Sequence, residues 1–396
     1  PNEKHRFNVF ASAQHINRDS YYGGGQDPNA YGNTTDLNWM AGSQYVYSFG
    51  KCIFMPADLT AGIEFNQDKL EDNMWGYHRT VDQKVNIGSA FFQNEWKNEH
   101  WGFLIGGRLD KHNLIDHVIF SPRANLRYNP TENINLRFSY SSGFRAPQAF
   151  DEDLHVENVG GNVAMVELAD NLKEERSQSL SVSANIYHRF GAFQVNFLVE
   201  GFYTKLSDVF ALTDGEVVDG ILTRTRYNAP GARVMGLTLE GKMAYLTKFQ
   251  VQAGVTLQQS HYSEPHVWNK EAPAVKKMMR TPNTYGYFTA TYTPIKPLSI
   301  ALSGTYTGSM LVPHEPVPGF LEKPITVNTK DFFDIGLKAA YDFKLYKSMN
   351  LQVNAGVQNI FNAYQNDFDK GADRDSGYIY GPSLPRSFFA GVKISY

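Results

Sequence analysis

Four groups of residues in this sequence have chemistry to offer. Arg145 ends an alternating segment just before Pro147, and a guanidinium there could grip an anionic ligand or a loop carboxylate. Asp151, Glu152 and Asp153 form an acidic run, with His155 two residues on; carboxylates attract cations or stay solvated, and an imidazole can ligate a metal. The run Asp367-Phe-Asp369-Lys-Gly-Ala-Asp373-Arg-Asp375-Ser-Gly377 spaces carboxylates as calcium loops do. It lacks the glycine at the sixth position and the glutamate at the twelfth of an EF-hand, which leaves Ca²⁺ a weak expectation beside a solvated loop tip. Tyr21, Tyr22, Tyr31, Trp75, Tyr77, Trp268, Tyr378 and Tyr380 could stack on a ligand or sit at a membrane interface. The candidate ligand-binding residues are therefore Arg145, His155, Tyr77, Trp268 and Tyr378, with His155 the candidate metal ligand. His261, His266 and His314 lie in or beside other long loops. No nucleophile, base and orienter recur at meaningful spacing, and Gly23-Gly24-Gly25 precedes no helical pattern. The residues speak for binding, not for an enzyme.

The elements that must position these residues alternate with a period of two. In Asn133–Arg145, Ile134, Leu136, Phe138 and Tyr140 share one face. Asn135, Arg137, Ser139 and Ser141 share the other, and continuing the parity puts Gly143 and Arg145 with them. About sixteen such segments run from Lys4–Asn17 to Pro385–Tyr396, many longer than strands of soluble sheets. The last sets Phe388, Ala390, Val392, Ile394 and Tyr396 against Phe389, Gly391, Lys393 and Ser395. In the strands that alternate this cleanly, charges are expected on one face. That is the pattern of a barrel with a polar lumen and a lipid-facing exterior, so Phe388, Val392, Ile394 and Tyr396 are expected towards lipid. A large soluble sandwich alternates in the same way, but strand length and the connections favour the barrel. Lys97–His100, Asn129–Asn133, His188–Ala192, Leu246–Lys248, Thr293–Pro297 and Lys344–Asn350 are short. Arg18–Asp36, Pro147–Arg176, Ser207–Arg233, Ser263–Thr284, Gly308–Lys330 and Asn362–Leu384 are long. Alternation of short and long places the turns at one end and the loops at the other, with His112–His117 the exception.

Composition agrees. The 396 residues carry a formal net charge of −3 and no basic stripe, so nucleic acid is not a partner. The aromatic load of 27 Phe, 23 Tyr and 5 Trp, with 33 Gly, favours strands and turns. A single cysteine, Cys52, allows no intrachain disulfide. No apolar run reaches the roughly 18 residues of a membrane-spanning helix. The chain opens Pro1-Asn2-Glu3, without methionine or signal peptide, as a processed product or fragment would.

Phe144-Arg145-Ala146-Pro147, the later Asn171-Leu172-Lys173-Glu174, and Asn359-Ile360-Phe361-Asn362 before a final strand ending in Tyr396 together resemble the TonB-dependent receptors of Gram-negative outer membranes. Phe150-Asp151-Glu152-Asp153-Leu154-His155 and Val159-Gly160-Gly161 look like the Bacteroides-type members. The resemblance implies an outer-membrane receptor that imports a scarce, bulky nutrient, often a metal chelate such as a siderophore, cobalamin or haem. It also implies as partners an inner-membrane TonB energy-coupling complex and, in the Bacteroides type, a surface lipoprotein. Haem receptors of the family carry an iron-ligating histidine between the FRAP motif and a second box, commonly NPNL; His155 falls in that interval, but the box here reads Ala169-Asp170-Asn171-Leu172. These receptors have an N-terminal plug, a coupling box and about 22 strands. The expectation is thus that residues 1–396 are the C-terminal part of such a barrel, without plug and first strands. A complete sixteen-stranded passive porin is the alternative.

Overall fold

The computed structural model describes residues 4–21, 31–147, 157–159, 162–218, 221–346, 348–371, 374–375, 377–382 and 384–396. Its strands are β1 (His5–Tyr21), β2 (Tyr31–Cys52), β3 (Met55–Met74), β4 (Arg79–Lys97), β5 (Trp101–His112), β6 (Ile119–Thr131), β7 (Ile134–Arg145) and β8 (Glu157–Val159). There follow β9 (Asn162–Leu168), β10 (Glu175–Phe190), β11 (Phe193–Ser207), β12 (Val209–Val218), β13 (Ile221–Ala229), β14 (Ala232–Tyr245), β15 (Phe249–His266) and β16 (Val275–Lys277). The last are β17 (Thr284–Ile295), β18 (Leu298–Thr307), β19 (Leu311–His314), β20 (Ile325–Asn328), β21 (Phe332–Tyr346), β22 (Met349–Gln358) and β23 (Ser387–Ser395). Among the described residues no helix is long and apolar enough to cross a membrane.

Sixteen long strands form one antiparallel wall in chain order. β1 to β7 pair successively, β7 meets β10, and the wall continues through β11, β14, β15, β17, β18, β21, β22 and β23. Among the described residues β1 pairs only with β2, and β23 only with β22. The short turns expected from the sequence all lie at one end. At the other end the connections after β3 and β5 are short as well, so the asymmetry is less regular than the sequence suggests.

Register settles the two faces, because directly paired residues point the same way. Val357↔Phe388, Val353↔Val392 and Leu351↔Ile394 lie on an apolar face, where Phe388 is 78% and Val392 67% exposed. Gln352↔Lys393 and Lys338↔Gly356 lie on the polar face. Near the short turns the apolar face carries an aromatic belt: Trp101 stacks on Tyr128 at 4.2 Å, and Phe193 lies 4.5 Å from Tyr245. Among the described residues the wall encloses no central apolar core. Its small buried clusters sit at the loop end, as with Val209, Ala229 and Ala232.

Three long connections differ from expectation. Arg18–Asp36 is largely paired strand, since β1 and β2 stay in register from His5↔Tyr47 to Tyr21↔Tyr31; its Asn, Thr and Arg side chains bond one another, as Asn33 does to Asn17 and Asp19. Ser207–Arg233 holds the hairpin β12–β13, which joins β9 and β8 in a small second sheet that includes part of Pro147–Arg176. Gly308–Lys330 contains the hairpin β19–β20.

Candidate functional site at the mouth and polar wall

At the rim, the parity of β7 brings Arg145 to the polar face opposite Glu175 of β10. Its Nη2 donates to Glu175 Oε2 at 3.0 Å, and the guanidinium lies 4.7 Å above the Phe210 ring. The same carboxylate oxygen accepts the Phe210 N–H at 3.0 Å. Arg145 therefore ties the wall to the β12–β13 hairpin through a charge-assisted bond. Beside it, buried Glu174 accepts Arg176 Nε at 2.8 Å and bonds His117 at 3.1 Å. Burial works against its charge, yet the bonds from Arg176 and His117 and from backbone hold the carboxyl below its usual range.

Farther round the mouth, four loop segments lock together. The His314 ring stacks on Tyr378 at 3.8 Å and 5°, and its Nε2 lies 2.8 Å from Asp369 Oδ2. Tyr380 donates to Asp367 at 2.6 Å, and the Glu315 N–H donates to Asp375 at 2.9 Å. Asn269 donates to Glu315 at 2.9 Å. Arg280 donates to the carbonyls of Gly377 and Ile379. Burial, then the Asp367 charge, pushes the Tyr378 phenol up to about 12. Beneath this canopy, against β18 and β21, lies a polar pocket of about 340 Å³ lined by Ser303, Thr305, Asp334, Gln358 and Ser387. An apolar pocket of about 390 Å³, lined by Tyr364, Phe368 and Ile379, adjoins it through Pro382 and Pro385.

The polar wall separates its charges. On β3 it carries Asp58, Glu64, Asp68 and Asp72, in register with polar-face residues of β4; Lys97 pairs with Asp58, and Arg108 with Glu64 and Asp110, each at 2.8 Å. On β6 and β7 the same face carries Arg123, Arg127, Arg137 and Arg145, fixed by Arg123↔Ser141 and Arg127↔Arg137. That column of arginines runs from the turn end to the rim.

The candidate residues fare differently. His155, with Asp151, Glu152 and Asp153, lies outside the described residues. Tyr77 closes the 3₁₀ turn Trp75–Tyr77 at the loop end. Trp268 sits in the connection after β15, its Nε1 buried without a hydrogen-bond partner. Tyr378 is 4% exposed and packs among Met310, Val312 and His314. Asp367, Asp369 and Asp375 each accept donors from their own loop or from β19, and among the described residues no three acidic, histidine or cysteine groups converge on a metal position. Arg280 and Glu315 stand out in no sequence pattern, because their partners lie far along the chain.

Comparison with solved structures finds the same fold. The ferric enterobactin receptor of Pseudomonas aeruginosa superposes with TM-score 0.70 at 17% identity, over 98% of this chain and 59% of that one. A siderophore receptor of Acinetobacter baumannii gives 0.68 at 15%, over 98% and 59%. The ferric-catecholate import receptor Fiu of E. coli gives 0.67 at 15%, over 99% and 62%. The chain thus spans about three-fifths of these neighbours' length. No curated protein matches the sequence. The family described as TonB dependent receptor-like, beta-barrel, matches residues 2–360. With an alternating wall in chain order, a polar face and a loop canopy at one end, the chain belongs to the TonB-dependent receptor β-barrel family, proteins of the Gram-negative outer membrane.

Proposed function

We propose that this chain forms most of the wall and mouth of an energised importer for an anionic metal chelate of the siderophore class. The observation that carries the reading is the arginine column Arg123, Arg127, Arg137 and Arg145 on the polar face of β6 and β7. A polar wall with one sign of charge along one side favours a cargo of the opposite sign. The neighbours' names point the same way, two being ferric enterobactin or ferric-catecholate receptors. The polar pocket with its apolar neighbour offers hydroxyl and amide donors beside aromatic rings, a pairing suited to a chelate with aromatic arms. Force for import would come through a TonB coupling complex acting on a plug supplied by the rest of the receptor. The passive porin fits less well. A closed sixteen-stranded pore needs β1 and β23 to pair, and among the described residues each has one partner.

The test is uptake of radiolabelled ferric catecholate by cells carrying the whole receptor. Uptake is expected to stop when the proton-motive force is collapsed and to fall when Arg123 and Arg137 are both changed to Gln. Unchanged uptake in de-energised cells would favour the porin, and uptake indifferent to the double substitution would remove the anionic-cargo reading.

A further inference from the structure

The apolar face has one feature that import does not use. Across β10, β11, β14, β15 and β16 the register aligns Gln178↔Lys205, Lys205↔Arg233, Arg233↔His261 and His261↔Lys277. These residues share the face of Leu180, Tyr203, Met235 and Leu257, because no irregularity interrupts the pairing between the two levels. The row lies at the loop end. Lys205 and Arg233 are exposed, and neither they nor Lys277 has an ion-pair partner among the described residues. Nor does this face of β10, β11, β14 or the wall part of β15 bear any carboxylate. Elsewhere at the same end the signs are mixed: Lys69↔Lys84 is followed directly by Glu71↔Asp82.

One pleat below the row, about 7 Å away, a groove of about 850 Å³ opens between Leu180, Val182, Tyr203, Met235 and Leu237. Its floor is Gly201, where an added side chain would meet nothing within 4 Å. An apolar slot beneath an unpaired basic row, on a membrane-facing wall, matches an amphiphile of one polarity and one charge.

We propose that this surface holds a lipid of the outer leaflet with a phosphate-bearing headgroup. Its acyl chain lies in the groove over Gly201, and its phosphate meets Lys205, Arg233 and Lys277, with His261 as a further hydrogen-bond donor. Lysine and arginine near a bilayer surface each add to the attraction for an anionic head, and the buried acyl methylenes add the apolar part.

The experiment purifies the whole receptor from outer membranes, strips it in detergent, and adds back bisphosphorylated lipid A or its dephosphorylated counterpart, with bound lipid counted by native mass spectrometry. Wild type should keep the phosphorylated form. Lys205→Gln with Arg233→Gln should weaken its retention about tenfold or more, as expected when two surface charges are lost, and Lys69→Gln should not. Gly201→Leu should lower retention of both lipids by filling the slot. If the charge-removing variant fails to assemble, Lys205→Arg with Arg233→Lys takes its place and should retain the phosphorylated form as wild type does. Equal retention of both lipids by wild type, undiminished retention by the charge-removing variant, or loss in the charge-conserving one would overturn the proposal.

Discussion

Glu174 shows how much of the rim hangs on single side chains. Its carboxyl is buried, bonded to Arg176 and His117, and titrates below its ordinary value of 4.5. A carboxylate depressed by folding stabilises the native form above its unfolded value, and the contribution vanishes as pH falls through the lower folded value. The rim of β10 should therefore loosen under acid, read as protease cleavage near Lys173 in a pH series below 4.5. Glu174→Gln should cleave readily at neutral pH and show a flattened acid response; a wild-type response in that variant would remove Glu174 from the account. The placement of Arg145 on the polar face was legible in the sequence, because β7 alternates without interruption up to Pro147. The burial of Tyr378 was not. It depends on His314, which comes from another loop, and on a latch by Arg280 to Gly377, contacts that no local pattern encodes.

Among the elements, the strands were legible wherever one face meets lipid and the other water, since that difference imposes the period of two. Hence β23 reads cleanly, and a charge at Val392 should impair assembly by roughly 2–4 kcal/mol if the site is at mid-membrane, with Ser395→Lys milder. Heat-modifiable migration of the folded barrel in gels measures this, and equal tolerance at both positions would refute the lipid-facing assignment of Phe388, Val392, Ile394 and Tyr396. The hairpin β12–β13 lies within the expected loop Ser207–Arg233 for the complementary reason. It stands beyond the wall, where no lipid demands that one face be apolar, and Thr223, Arg224, Thr225 and Arg226 give little alternation of hydrophobicity. Strands β1 and β2 run on into the expected loop Arg18–Asp36 for the same cause: their outer parts, rich in Asn, Asp and Thr, continue as paired strand above the apolar zone. At about 3.3 Å per residue, the 22 residues of β2 reach roughly 70 Å, well over twice the height of the apolar band.

At the scale of the molecule, topology follows from counting connections. In a Cys52→Ser background, a cysteine at Lys270 should react with an impermeant maleimide on intact cells, and one at Thr131 should not. The reverse labelling pattern would turn the molecule over and put the loop canopy in the periplasm.

The single-sided pairing of β1 and β23 has a consequence for how such a wall comes together. Every other contact in it joins strands adjacent in the chain or separated by one loop, so the sheet can grow hairpin by hairpin with little entropy spent on bringing distant residues together. Each added strand finds its neighbour already close. Among the described residues the edges of β1 and β23 are the two without a partner, and where a strand must find a partner far away in the chain the entropic cost rises with the logarithm of the separation. Until they are covered, both edges present open rows of backbone donors and acceptors. Assembly along the wall is thus a zipper of near neighbours, and agents that trap it by pairing with an open strand should act at the edges of β1 and β23 before they act anywhere along the wall.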